Sequence, residues 1–228
     1  MSTRSDQIIQ KLKSLGNEED RQGKARVSIN AERSLGIRIP VLRALAKDIG
    51  RDQQLAEELW ATGYHEARIL AGYLADPAAI SEATIERWAA DFDSWDLVDH
   101  LMDLVGNSLF GYQKAFEWSA REEEFVKRAG FVIMCHKAIH DKAAPDERLL
   151  EFFPLIKRES TDERLYVRKA VNWALRQIGK RNRRLNQEAI RLAEEIAQLD
   201  SKAARWIASD ALRELQSEKV QAKLDRKK

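Results

Sequence analysis

Residues 93–103, DSWDLVDHLMD, gather Asp93, Asp96, Asp99 and Asp103 around Trp95 in a chain that is otherwise slightly basic. Four carboxylates in one short run raise metal binding or paired acid and base work, and the spacing singles out one of them. Positions four apart lie on one helical face about a turn apart, so Trp95 and Asp99 belong together. Leu97, Val98, Leu101, Met102, Leu104 and Val105 mark the face to be buried. Asp99 adjoins that face beside the indole, where a carboxylate can be shielded and oriented by an aromatic wall. Ordered carboxylates of this kind occur in catalytic sites and in structural networks alike, so Asp99 could equally accept from a helix end or pair with an arginine. Asp96 precedes a leucine and reads as a helix-surface or first-turn acid. Asp93 and Asp103 read as capping, solubilising or packing groups.

A second constellation lies in RKAVNWALR, where Trp173 is flanked by Arg168, Lys169 and Arg176. Val167, Ala170, Val171, Ala174 and Ile178 form the apolar side and leave Trp173 at its margin. An indole beside cations suits a sugar or a base, with core packing as the alternative. Arg128 is open between a phosphate contact and tying down a neighbouring helix end. Of the six tryptophans, Trp60, Trp88 and Trp206 are expected to pack. His136 and His140 are four apart, but a zinc-protease pattern needs Glu where Lys137 stands, and a zinc site needs three or four ligands. No metal and no cofactor are expected. Cys135 is the sole cysteine, which excludes an internal disulfide and suits a reducing compartment.

The elements that must position these residues read as helices throughout. With 44% hydrophobic residues, 228 positions hold enough apolar material for one sizeable core, and only 4 prolines and 10 glycines interrupt it. GIRIPVLRALAKDIG places Pro40 in a first helical turn and Gly50 at the helix end; Ser81 in DPAAISEATIERWAADF is an N-cap. A phrase of one basic residue on an Ala-rich, aromatic-bearing helix recurs around Arg68, Arg128, Lys169 and Arg205, and WDLVDHLM divides the first interval. That period predicts paired-helix repeats stacked through small residues such as Ala67, Ala71, Ala129, Ala170 and Ala174. The expected fold is all-α, a HEAT-like helical repeat solenoid whose concave side collects one side chain per repeat. It forms a single domain over residues 1–217, with 218–228 a basic tail that frays. No segment is apolar enough for a secretory signal or a membrane helix, so a soluble, cytoplasmic protein without membrane partners is expected. Residues 161–184 carry eight lysines and arginines against two acids, a local field suited to a polyanion; residues 76–103 carry eight acids against one arginine.

GIRIPVLRALAK at 36–47, WDLVD at 95–99, KRAGFV at 127–132 and VRKAVNWALRQIGK at 167–180 together resemble the AlkD family of DNA alkylation repair glycosylases, over nearly the whole chain. The resemblance implies HEAT-like repeats clasping duplex DNA in a basic concave groove, acting as a monomer. It implies that Trp95 and Trp173 contact the deoxyribose of the damaged nucleotide, that Asp99 lies near the anomeric carbon, and that Arg128 anchors the adjacent backbone. Arg168, Lys169, Arg176 and Lys180 are the further candidates for DNA binding. Such enzymes release cationic N3- and N7-alkylated purines without swinging the base into a pocket. The chemistry is self-consistent: a cationic purine leaves without being protonated, so one ionised carboxylate with aromatic faces replaces the acid and base pair of sugar hydrolases.

The chain departs from that pattern at its start. No Phe, Tyr or Trp precedes Trp60, whereas the resembling enzymes have aromatics in the helices before the GIR segment; EEDRQGKARVSINAERSL is polar and rich in charge instead. A noncatalytic protein that binds DNA lesions or structures is therefore the second reading, and a protein-binding HEAT scaffold the third.

Overall fold

The computed structural model describes residues 3–25, 29 and 32–226, which contain fifteen α-helices and no strand. None of these helices is long and apolar enough to cross a membrane. By its internal contacts the chain divides into two compact units, Met1–Phe110 and Gly111–Lys228.

The first unit holds α1 (Thr3–Ser14), α2 (Glu18–Ala25), α3 (Ile39–Ile49), α4 (Gln53–Ala61), α5 (His65–Leu74), α6 (Glu82–Ala89) and α7 (Trp95–Asn107). Pro40 lies in the first turn of α3, Gly50 caps its end, and the Ser81 side chain accepts from Thr84 N at the start of α6. Helix α5 is the hub, packed by α3, α4 and α7. Its small Ala67 and Ala71 permit close approach, and with Ile69, Leu70 and Leu74 they are fully buried. Glu66 on the same helix is fully buried as well, and the chain builds a cradle around it. Its carboxylate accepts from Ser34 Oγ at 2.7 Å, Leu35 N at 2.8 Å and Gly36 N at 2.9 Å, and pairs with Lys24 Nζ at 2.6 Å. Burial pushes this carboxyl upward, but Lys24 and the converging donors prevail and hold it below the usual carboxylate value. Gly36 is required here: its φ is +74°, and a Cβ would lie 2.0 Å from the Asn17 carbonyl. Trp60 and Trp88 stack at 4.3 Å as packing residues, and Trp60 Nε1 donates to Asp91 at 2.7 Å.

The second unit holds α8 (Gly111–Ser119), α9 (Glu124–His140), α10 (Asp146–Leu150), α11 (Phe153–Glu159), α12 (Leu165–Gly179), α13 (Arg183–Ala197), α14 (Lys202–Leu215) and α15 (Glu218–Asp225). Helix α12 packs on α9, α11, α13 and α14. Among the polar contacts that join it to its neighbours one interval recurs: Arg128 Nη1 to Tyr166 O, Asn172 Nδ2 to Asp210 and Arg176 Nη1 to Glu214 each span 38 residues. In the first unit the corresponding links are shorter, 31 residues for both Trp60 to Asp91 and His65 to Asp96. Each interval joins like positions of successive helical pairs, which is the signature of a repeat array. Close helix approach is clearest at Gly130, where a Cβ would meet Ser119 N at 2.4 Å.

Two expectations change. Trp206 does not pack away but remains 39% exposed on α14. The expected tail from residue 218 forms α15 over Glu218–Asp225. Ser217 caps it, and Val220 and Leu224, one turn apart, are both buried. Residues 227 and 228 lie outside the described residues.

Candidate functional site

In the first unit the site is built on α7. Leu97, Val98, Leu101, Met102, Leu104 and Val105 are buried, as the spacing predicts, and this fixes the rotation of the helix. Trp95 is its first residue and Asp99 follows one turn later; both side chains are half-buried at the margin of the packed face. Ser94 precedes them in extended conformation without capping the helix, and its Oγ is buried with no hydrogen-bond partner.

Asp96 is the first-turn acid of α7, one of the two roles its sequence context allows, and it is half-buried where the other, an open surface acid, would be exposed. Its carboxylate lies 2.9 Å from His65 Nε2 on α5 and 3.3 Å from His100 Nε2 on α7. A carboxylate only accepts, so both imidazole Nε2 atoms donate to it, and His100 Nδ1 lies 3.0 Å from Tyr73 OH. Burial pushes the Asp96 carboxyl upward, but the hydrogen bonds from His100 and His65 outweigh it and hold the group well below the usual range. Asp96 thus ties the first turn of α7 to α5.

Trp95 and Asp96 line a cavity of about 620 Å³ together with Glu19, Asp20, Lys24, Arg38 and Pro40. The Glu66 cradle shapes this wall, because it fixes residues 34–37 directly before Arg38 and Pro40. Arg38 in turn donates to Asp20 at 2.8 and 3.1 Å. Where the resemblance implies aromatics in the N-terminal helices, α2 supplies Glu19, Asp20, Gly23 and Lys24. Residues 26–28, 30 and 31 of that polar stretch lie outside the described residues.

The second unit carries the other candidates. Trp173 is half-buried on α12, whose predicted apolar side is fully buried. Arg128 on α9 is only 5% exposed and donates to the Tyr166 carbonyl in the first turn of α12, so it does tie down a helix end. Arg176 and Lys180 converge on Glu214 of α14 at 2.5 and 2.7 Å. Burial raises the Glu214 carboxyl, and Lys180 with Arg176 more than reverses this, leaving it lowered. The rest of the basic run divides likewise. Arg164 faces Asp162, Arg183 faces Asp225 and Arg184 faces Glu147, while Arg181 donates to the carbonyls of Ala138 and Ala144. Lys169 is exposed and forms no ion pair among the described residues. Arg168 instead stacks on an indole: its guanidinium carbon lies 4.9 Å from the centroid of Trp206. Sequence alone could not assign these partners, because Asp210, Glu214 and Trp206 come from the next repeat.

Residues 8–215 match the family model described as DNA alkylation repair enzyme. A solved structure described as a new family of proteins related to the HEAT-like repeat DNA glycosylases with affinity for branched DNA structures aligns with a TM-score of 0.76. At 24% identity it covers 92% of this chain and 94% of its own, and it shows that the fold is HEAT-like. A designed armadillo repeat protein in complex with a (KR)4 peptide aligns at a TM-score of only 0.34 with 14% identity, over 81% of this chain and 88% of its own. No curated protein matches the chain in sequence.

Proposed function

The chain belongs to the DNA alkylation repair enzyme family, and from that membership we propose a DNA glycosylase that releases 3-methyladenine and 7-methylguanine from duplex DNA. The observation carrying this reading is the pair Trp95 and Asp99, one turn apart and half-buried on a helix whose opposite face is locked in the core. Alkylation at N3 or N7 makes the purine cationic. The glycosidic C1′–N bond can then break with its electron pair going to the purine, which departs neutral without a general acid. Positive charge passes to the deoxyribose, where the Asp99 carboxylate and the face of Trp95 stabilise it. Water adds to C1′ under the guidance of Asp99 and loses its proton to solvent. No step requires the base to swing out of the duplex, in contrast with the usual glycosylase strategy.

Arg128, Arg168, Lys169, Arg176 and Lys180 are assigned to the DNA backbone, Arg128 from its place against the Tyr166 carbonyl and the last two by exchanging Glu214 for phosphate. The protein acts as a cytoplasmic monomer on DNA without a cofactor. Liberation of methylated purines from alkylated duplex, measured chromatographically, tests this reading; undetectable release at high enzyme concentration contradicts it.

A second reading is favoured by the polar wall that α2 contributes to the Trp95 cavity in place of aromatics. A lesion- or structure-binding protein without hydrolysis would need no such aromatics, and the affinity of the structural neighbour for branched DNA supports the same reading. Tight binding to a four-way junction with no base release selects it.

A further inference from the structure

We infer that Arg168 and Trp206 form a phosphodiester clamp, in which the guanidinium lies against the indole and takes a DNA backbone phosphate through its outward nitrogen edge. This rests on the DNA-binding part of the proposed function and not on catalysis.

Three observations converge on the pair. Among the described residues Trp206 is the one exposed tryptophan, at 39%, on a helix whose Ala203, Ala204, Ile207, Ala208 and Ala211 already supply a buried face. The core therefore does not need it. Arg168 stands apart from the arginines around it: Arg164, Arg176, Arg183 and Arg184 each face a carboxylate, whereas Arg168 has none among the described residues. Its guanidinium sits 4.9 Å from the Trp206 ring centroid, and its Nε is buried without a hydrogen-bond partner.

A guanidinium spends its flat face on an aromatic and its edge on an oxyanion, and these uses are compatible. Stacking removes rotamer freedom and water from one side of the ion while leaving its charge uncompensated. The result is a pre-oriented, bidentate donor. Lys169 beside it and Lys202, one turn before Trp206, are exposed without carboxylate partners among the described residues and strengthen the positive field. The nearby acids are otherwise engaged: Asp200 meets Arg205 at 3.3 Å, and Glu163 accepts from Ser201 Oγ and Ala203 N.

Binding of a fluorescein-labelled, undamaged duplex, followed by anisotropy across a potassium chloride series, tests the clamp. Arg168→Ala and Trp206→Ala are each expected to weaken binding about fivefold. Their effects should not add, because the indole acts through the guanidinium. Arg168→Lys keeps the charge but lacks the planar fork and should lose most of the same affinity; Trp206→Phe keeps a ring and should recover it. Arg168→Ala should also reduce the salt slope by roughly one phosphate contact. Melting curves accompany each variant, and if Trp206→Ala fails to fold, Arg168→Lys and Trp206→Phe carry the test. Wild-type affinity and slope in folded Arg168→Ala and Arg168→Lys overturn the clamp while leaving the DNA reading intact. A wild type that shows no salt-sensitive DNA binding overturns both.

Discussion

The Asp96 carboxylate bridges His65 Nε2 at 2.9 Å and His100 Nε2 at 3.3 Å, fastening the first turn of α7 to α5 immediately beside Trp95. The fold holds this carboxyl below the ordinary range, so its ionised form is the one the native state favours. The associated stability is complete above the unfolded carboxylate pKa of about 4 and is lost as pH falls through the lower folded value. Urea denaturation from about pH 6 down to about pH 3 should therefore show a loss of stability to which Asp96 contributes. In Asp96→Asn that component disappears and the pH dependence flattens, alongside a loss of about 1–3 kcal/mol at neutral pH from the weakened histidine contacts. Superimposable pH profiles for the two proteins would exclude this role.

Glu66 holds the segment that shapes the Trp95 cavity. Its side chain is fully buried, pairs with Lys24 and accepts from three backbone amides and a serine hydroxyl. Glu66→Ala leaves those donors and the ammonium without their acceptor, and about 3–5 kcal/mol of stability should be lost. Equilibrium unfolding reads this directly; a change below about 1 kcal/mol contradicts the cradle.

Gly130 marks the closest approach of α9 to the end of α8. A methyl group there would meet Ser119 N at 2.4 Å, and backbone has little room to give. Gly130→Ala should cost about 1–3 kcal/mol despite the better helix propensity of alanine. A stabilised variant would show that the two helices separate easily.

Glu214 restrains two of the candidate phosphate contacts, Arg176 and Lys180. Glu214→Gln should tighten duplex binding and steepen its salt dependence by up to about two contacts, since counterion release follows the number of phosphates neutralised. An unchanged slope in an anisotropy titration would mean that Arg176 and Lys180 brace α12 against α14 and do not reach DNA.

The fold is legible where its information is local. The faces of α7 and α12 follow from helical spacing, and Pro40, Gly50 and Ser81 mark the ends of α3 and the start of α6 through backbone constraints that act within a few residues. What stays hidden depends on the next repeat. Asp96 reads as a helix-surface or first-turn acid, and its tie to α5 stays hidden because its partner His65 lies 31 residues earlier. The basic run of residues 161–184 reads as an open positive surface because Glu214 and Asp210 approach only through the packing of α14 on α12. Trp206 misleads for the opposite reason: indoles usually pack, and its exposure depends on what covers α14. The helix over Glu218–Asp225 escapes notice because two apolar residues, Val220 and Leu224, suffice to dock so short a segment.

The central claim is that one carboxylate, Asp99, stabilises the sugar from which a cationic purine departs. Single-turnover release of 3-methyladenine and 7-methylguanine from methylated duplex, with wild type beside Asp99→Asn, tests it most directly, because the amide keeps the shape and removes the charge. The variant should bind duplex as the wild type does and release base slower by a factor on the order of 100 or more, as loss of a preorganised electrostatic contact predicts. Equal release rates in the two folded proteins would contradict the account.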